Sequence, residues 1–273
     1  MPTLRFPMLN FAKALFCAAL FLPVSGKGET QLPEGFVYLS DIAPEIEQRI
    51  KYAGPDNFLG RPVEGYQAPR CILTQAAARA LKTTAQELAK ENLRLRVFDC
   101  YRPERAVADF VRWSQNPKPA STRSYYFARY SKAGLFRAGF IAKRSGHSKG
   151  STVDLTLAHR SKPPVSPVQR KPPILLPADQ SQTKTSLTSR CDAANLEHRK
   201  PLKGALDMGT DFDCFSSLSA TNSGKITRQA QANRKRLLTA MQHAGFRNYA
   251  TEWWHFTLLD APFHKQYFDF VIQ

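Results

Sequence analysis

Residues 249–259 read YATEWWHFTLL, an aromatic and aliphatic run with an acid, Glu252, and a histidine, His255, set inside it. A run of this composition folds as a strand and buries its side chains. A carboxylate within it costs free energy unless a cation or a hydrogen bond answers it. The fold must therefore bring compensating groups to this segment from elsewhere in the chain. Positions 252 and 255 also face opposite sides of an ideal strand. For the two to act together, the backbone must bend there or the strand must end. Trp253 and Trp254 read as core.

Hydrophobic periodicity supplies the other elements. Thr74 opens a helix in which Ala77, Ala78, Leu81, Ala85 and Leu88 recur at helical spacing. Residues 93–98 (LRLRVF) alternate as a half-buried strand does. Pro103 suits the first turn of a second helix, with Val107, Phe110 and Val111 inward. Residues 151–157 (STVDLTL) are β-rich, and a third helix spans residues 227–243, with Ala230, Leu237, Leu238 and Met241 inward and Gly245 ending it. Residues 27–70 are loop-rich, and 113–140 are mixed. Helix and strand thus alternate, which predicts an α+β single domain with a small, mainly antiparallel sheet flanked by helices.

One stretch does not belong to such a core. Residues 160–203 hold nine Lys or Arg and seven of the chain's 19 prolines. We read an exposed proline-rich insertion over about 160–206, with a substrate-gating lid as the alternative.

The chain opens differently again. Arg5 and Lys13 precede an apolar run over residues 14–24, and Val24-Ser25-Gly26 offers small residues for cleavage. The pattern is that of a signal peptide over residues 1–26, leaving a domain over 27–273, exported to the periplasm or cell envelope, with no stable membrane span after cleavage. An uncleaved anchor is the competing reading, although the run is short for a bilayer. A lipoprotein fits poorly, because Phe16 precedes Cys17. Cleavage leaves Cys71, Cys100, Cys191 and Cys214, for which three disulfide pairings are open. The formal charge of +17 less the two charges of Arg5 and Lys13 leaves +15. So basic a protein is drawn to polyanions such as anionic cell-wall polymers. Nucleic acid is not expected, since no helix-turn-helix, zinc-finger or ribonucleoprotein motif is present.

Three segments carry chemistry. In Ser145-Gly146-His147-Ser148-Lys149-Gly150-Ser151-Thr152-Val153-Asp154, a histidine and an aspartate flank Gly150, which lets the backbone turn so that the two converge. Imidazole nitrogen and carboxylate oxygen are both zinc ligands. The bland alternative is a histidine capping a turn and an aspartate in a hydrogen-bonded loop. Glu252 and His255 add an acid and a third ligand, and a catalytic zinc site needs three protein ligands, an open position and a separate carboxylate. Arg102, in Asp99-Cys100-Tyr101-Arg102-Pro103, falls between a strand and a helix, where a fixed guanidinium suits a developing oxyanion. A surface ion pair is its commoner fate.

Taken together, these segments resemble the D-alanyl-D-alanine dipeptidases, the VanX-like branch of the zinc D,D-peptidases (peptidase family M15). The likeness runs from about Val37 to Leu259 and includes Asn57-Phe58-Leu59-Gly60, Gly65-Tyr66, Met208-Gly209, Phe212-Asp213 and Asn233-Arg234. It implies one zinc ion per chain, at the sheet, on His147, Asp154 and His255. It also implies Glu252 as general base and Arg102 as oxyanion stabiliser. Asp99, Ser145 and Asp213 fall where the family orients the arginine or binds the ends of a small dipeptide substrate. A D,D-carboxypeptidase acting on peptidoglycan stems and a non-catalytic wall-binding module are the alternatives. A pure binder needs neither a base nor an oxyanion donor. The long stretch between Asp154 and Met208 departs from compact members and bears on which dipeptide is preferred.

Overall fold

The computed structural model describes residues 31–127, 129–160, 191 and 203–273, with Met1 and Thr3. The expected signal peptide and most of the expected insertion lie outside the described residues. Residues 32–273 form one unit.

Its centre is a five-stranded sheet in the order β2-β4-β5-β7-β6, built from Glu47–Gln48, Leu93–Asp99, Thr152–His159, His255–Leu258 and Phe246–Asn248. Only β2 runs parallel to its neighbour, so the sheet is mainly antiparallel. A two-stranded antiparallel sheet joins β1 (Phe36–Tyr38) to β3 (Ile72–Thr74). Among the described residues the α-helices are α1 (Leu39–Ile42), α2 (Gln75–Ala89), α3 (Glu104–Gln115), α4 (Arg123–Tyr126), α5 (Lys132–Arg137) and α6 (Arg228–His243). The α+β architecture read from the sequence is the one observed.

The long helices form where their caps and stripes require. Thr74 accepts the Ala77 amide at 3.3 Å and starts α2, which buries Ala77, Ala78, Leu81, Ala85 and Leu88. Thr227 does the same for Ala230 in α6, and Gly245, at φ +82°, turns the chain into β6. Pro103 is the N-cap of α3.

Two elements differ from the periodicity. β4 is buried nearly throughout rather than half-buried, and α2 packs against it. Its Arg96 is tolerated there by Glu47 of β2, 3.0 Å away, and by the carbonyl of Lys203 at 2.9 Å. The aromatic run is a strand only from His255 onward. Residues 249–254 form the turn between β6 and β7, held by Asn248, whose Nδ2 donates to the carbonyls of both Glu252 and His255 at 3.0 Å. The bend that Glu252 and His255 required is this turn. The loop-rich start also contains β1, α1 and β2, which are too short to show a period.

Candidate active site

Strand register assembles the site. Asp154 of β5 is the cross-strand partner of both Asp99 on β4 and His255 on β7, so three functional side chains form one row across three strands. The β4–β5 pairing shifts by one residue between Val97 and Asp99. Without that bulge Asp99 would stand opposite Val153, on the other face. His147 comes from a one-turn 3-10 helix, Gly146–Lys149, directly before β5. Gly150 follows at φ +78°, and a Cβ there would lie 2.2 Å from the Phe36 ring, so only glycine fits.

His147, Asp154 and His255 each offer a ligand atom, all within 4.8 Å of one another. Among the described residues no other group of three His, Cys, Asp or Glu side chains is so placed. His147 Nδ1 donates to the Cys100 carbonyl at 2.6 Å, since a carbonyl can only accept. That leaves Nε2 with its lone pair toward the site, the usual arrangement behind a metal-bound histidine. Nε2 faces Asp154 Oδ2 at 3.3 Å and His255 Nδ1 at 3.4 Å. Asp154 Oδ1 is buried and makes no hydrogen bond, although His255 Nδ1 is 3.1 Å away. Lone pairs converging this closely repel one another unless a cation or protons lie between them. The donor set therefore fits a metal ion.

Glu252 closes one side, with Oε2 3.5 Å from His255 Nδ1. Burial first, then the charge of Asp154, push its carboxyl up to about 8, against the pull of Arg102. Arg102 donates through Nε and a terminal nitrogen to Asp99 Oδ2, at 2.9 and 2.8 Å, and its other near acid is Asp154 at 3.4 Å. Tyr52 and Phe110 present their rings to the guanidinium at 5.1 and 5.2 Å. Asp213, at φ +60°, lines the same pocket, and burial followed by the charge of Asp154 raises its carboxyl well above normal. Ser145 also lines it, while its Oγ accepts the His147 amide at 3.3 Å and caps the turn. Arg102, Ser145, Asp154, Asp213, Glu252 and His255 thus line one cavity, with Asp99 and His147 packed behind it against Arg102 and Asp154. The cavity holds about 260 Å³, under the roughly 300 Å³ at which ordinary small-molecule pockets begin.

Sequence reasoning missed the tyrosines. Tyr52 donates to Asp213 Oδ2 at 2.9 Å, and Tyr66 donates to Asp99 Oδ1 at 2.6 Å. Both are buried, and burial pushes both hydroxyls well above their ordinary values. Tyr66 was visible only as part of the Gly65-Tyr66 pair, and no spacing ties either tyrosine to its acid. Of the three open cysteine pairings, Cys71–Cys100 and Cys191–Cys214 are formed. Each fixes a residue next to a site acid, Asp99 in one case and Asp213 in the other.

A hydrolase that activates water with a metal ion needs a ligand set with an open position, a base and an oxyanion donor in one enclosed pocket. The end of this sheet supplies groups of each kind. Comparison with known proteins agrees: a sequence model of the M15 peptidases, described as D-ala-D-ala dipeptidase, matches residues 33–166 and 171–273, and the chain belongs to that family of metallopeptidases. It is 36% identical over 238 residues to a D-alanyl-D-alanine dipeptidase of Streptomyces coelicolor, covering 87% of this chain and 98% of that one. A protein of the same description from Enterococcus faecalis is 31% identical, with 88% and 100% covered. One from Escherichia coli is 28% identical, with 82% and 85% covered.

Proposed function

We propose that the protein is an exported zinc peptidase that hydrolyses free D-alanyl-D-alanine to D-alanine. The observation that carries this is the His147, Asp154 and His255 cluster with its orphaned Asp154 oxygen, set beside Glu252 and Arg102 in a cavity of about 260 Å³. His147, Asp154 and His255 would hold the ion. Two imidazole nitrogens and a carboxylate are a common catalytic zinc set, and zinc bound there supplies Lewis acidity and makes water a nucleophile near neutral pH.

The chain's own groups do the rest. Glu252 takes a proton from the attacking water and passes it to the leaving amine. Its burial keeps it basic enough for that exchange. Arg102, already fixed by Asp99, donates to the oxygen that becomes negative in the tetrahedral state. Asp213, steadied by Tyr52, pairs with the substrate ammonium. Ser145, at the rim of the His147 turn, takes the other end of the dipeptide. A pocket this small leaves a longer peptide's charges and amides unpaired, which favours the dipeptide over a wall stem.

Export rests on the residue 1–26 pattern and on two disulfides, which persist in oxidising compartments. The charge of +15 left after cleavage draws the protein toward anionic wall polymers. The test is hydrolysis of free D-Ala-D-Ala beside a stem pentapeptide, with chelator and then zinc added back. Cleavage of the dipeptide alone, lost with chelator and restored by zinc, supports the proposal. Cleavage of the pentapeptide points to a carboxypeptidase instead, and cleavage of neither, with zinc still bound, to a wall-binding module.

A further inference from the structure

Tyr249 is one of few large side chains with apolar surface that stand exposed among the described residues, at 43%. It lines the cavity all the same. Its backbone is fixed to the catalytic turn, its amide donating to the His255 carbonyl at 2.9 Å. Its ring stands edge-on to the His255 imidazole, with centroids 5.6 Å apart. From there the side chain reaches across to the loop after α5, where its hydroxyl meets the Gly139 carbonyl at 3.4 Å. That loop is shaped for the contact. Gly139 has φ +78°, and a Cβ there would lie 3.2 Å from the Tyr249 hydroxyl. Gly139 and its neighbours Phe140 and Ile141 line the cavity on that side.

We propose that Tyr249 is a specificity-determining residue that spans the mouth of the pocket from the β6–β7 turn to Gly139 and so limits the length of peptide admitted. The ring blocks the way out beside His255, while the long hydroxyl contact holds the span only loosely. A dipeptide enters beneath it. A peptide carrying a further residue or acyl group at one end meets the ring. This deepens the peptidase reading above and rests on it.

The experiment compares the parent full chain, loaded with zinc, with Tyr249→Ala, Tyr249→Leu and Tyr249→Phe. The probes are D-Ala-D-Ala, N-acetyl-D-Ala-D-Ala and D-Ala-D-Ala-D-Ala. Tyr249→Ala and Tyr249→Leu should raise kcat/KM for at least one extended peptide, relative to the dipeptide, by about tenfold or more. Tyr249→Phe keeps the ring and should leave the ratio near the parent's. The Leu variant preserves an apolar side chain and guards against an Ala variant that fails to fold. Unchanged ratios in folded Ala and Leu variants overturn the proposal. Calorimetric binding of the same peptides judges it independently of turnover. If the parent fails to cleave the dipeptide, the peptidase reading falls, and the limiter is still upheld by tighter binding of an extended peptide to the Ala variant, or overturned by equal binding.

Discussion

One wall of the pocket is the end of three paired strands, and the other is a set of loops tied together side chain by side chain. On the sheet wall, Asp99, Asp154 and His255 owe their places to register. To move one of them, the pairing of a whole strand must slip, which would turn its core face outward. On the loop wall, Asp213 depends on Tyr52, on the Cys191–Cys214 disulfide beside it, and on Arg234, which donates to the carbonyls of Met208, Leu218 and Ala220 at 2.7, 2.9 and 2.6 Å. The first wall is rigid because the backbone defines it. The second can be altered one residue at a time. The proposed division of labour follows: metal and proton chemistry on the sheet, substrate selection on the loops.

Substitutions on the two walls should therefore fail in different ways. The largest effect belongs to the turn that leads into β7 of the sheet wall. Glu252→Gln should lower kcat by about 10²–10⁴-fold while zinc content stays at the parent's level. Near-normal turnover would remove Glu252 from the role of base. On the loop wall, Asp213→Asn should raise KM by about 10- to 100-fold, with kcat much less affected. A loss confined to kcat would erase the distinction between the walls.

What the sequence disclosed divides along the same line. The ligands and Glu252 came from short runs, because a ligand pair around Gly150 and an acid inside an aromatic run are local anomalies that chemistry must explain. The loop wall left no such local trace, and Asp213 was reached only through the resemblance to the family. Tyr52 and Asp213 are 161 positions apart, and neither is unusual among its neighbours. The bulge that sets Asp99 opposite Asp154 was also invisible, since it arises from how β4 meets β5 rather than from β4 alone. The α+β order was readable because α2 and α6 are long enough to show a period. β2, with two residues, is not.

The two disulfides sharpen the contrast further. Replacing Cys191 and Cys214 together by serine should raise KM for the dipeptide several-fold and leave zinc affinity unchanged, as a titration against a chelating dye would read. Replacing Cys71 and Cys100 frees the strand end from which the Cys100 carbonyl holds His147. That pair should cost about 2–4 kcal/mol of stability and weaken zinc binding. Equal zinc affinity in both variants would break the comparison.

The smallest effect concerns the support of the loop wall. Arg61 pairs with Asp109 of α3 at 2.7 and 2.8 Å, and the Glu64 amide adds a bond at 3.2 Å. Burial works to raise the Asp109 carboxyl, but these partners hold it below its ordinary value. A carboxyl lowered on folding contributes stability above its unfolded pKa of about 3.9, and loses it as pH falls through the folded value below that. Arg61→Ala should cost about 1 kcal/mol or less, since Arg61 is half exposed. It should also flatten the acid side of the stability profile, measured by urea denaturation between about pH 2 and 4. An unchanged profile would remove the pair from the support of this wall.

The central claim is that strand register, together with the 3-10 turn before β5, brings His147, Asp154 and His255 together as one zinc site. Metal analysis of the parent and of folded His255→Ala tests it most directly. The account predicts about one zinc per chain in the parent and little or none in the variant. Full zinc occupancy in folded His255→Ala would contradict it.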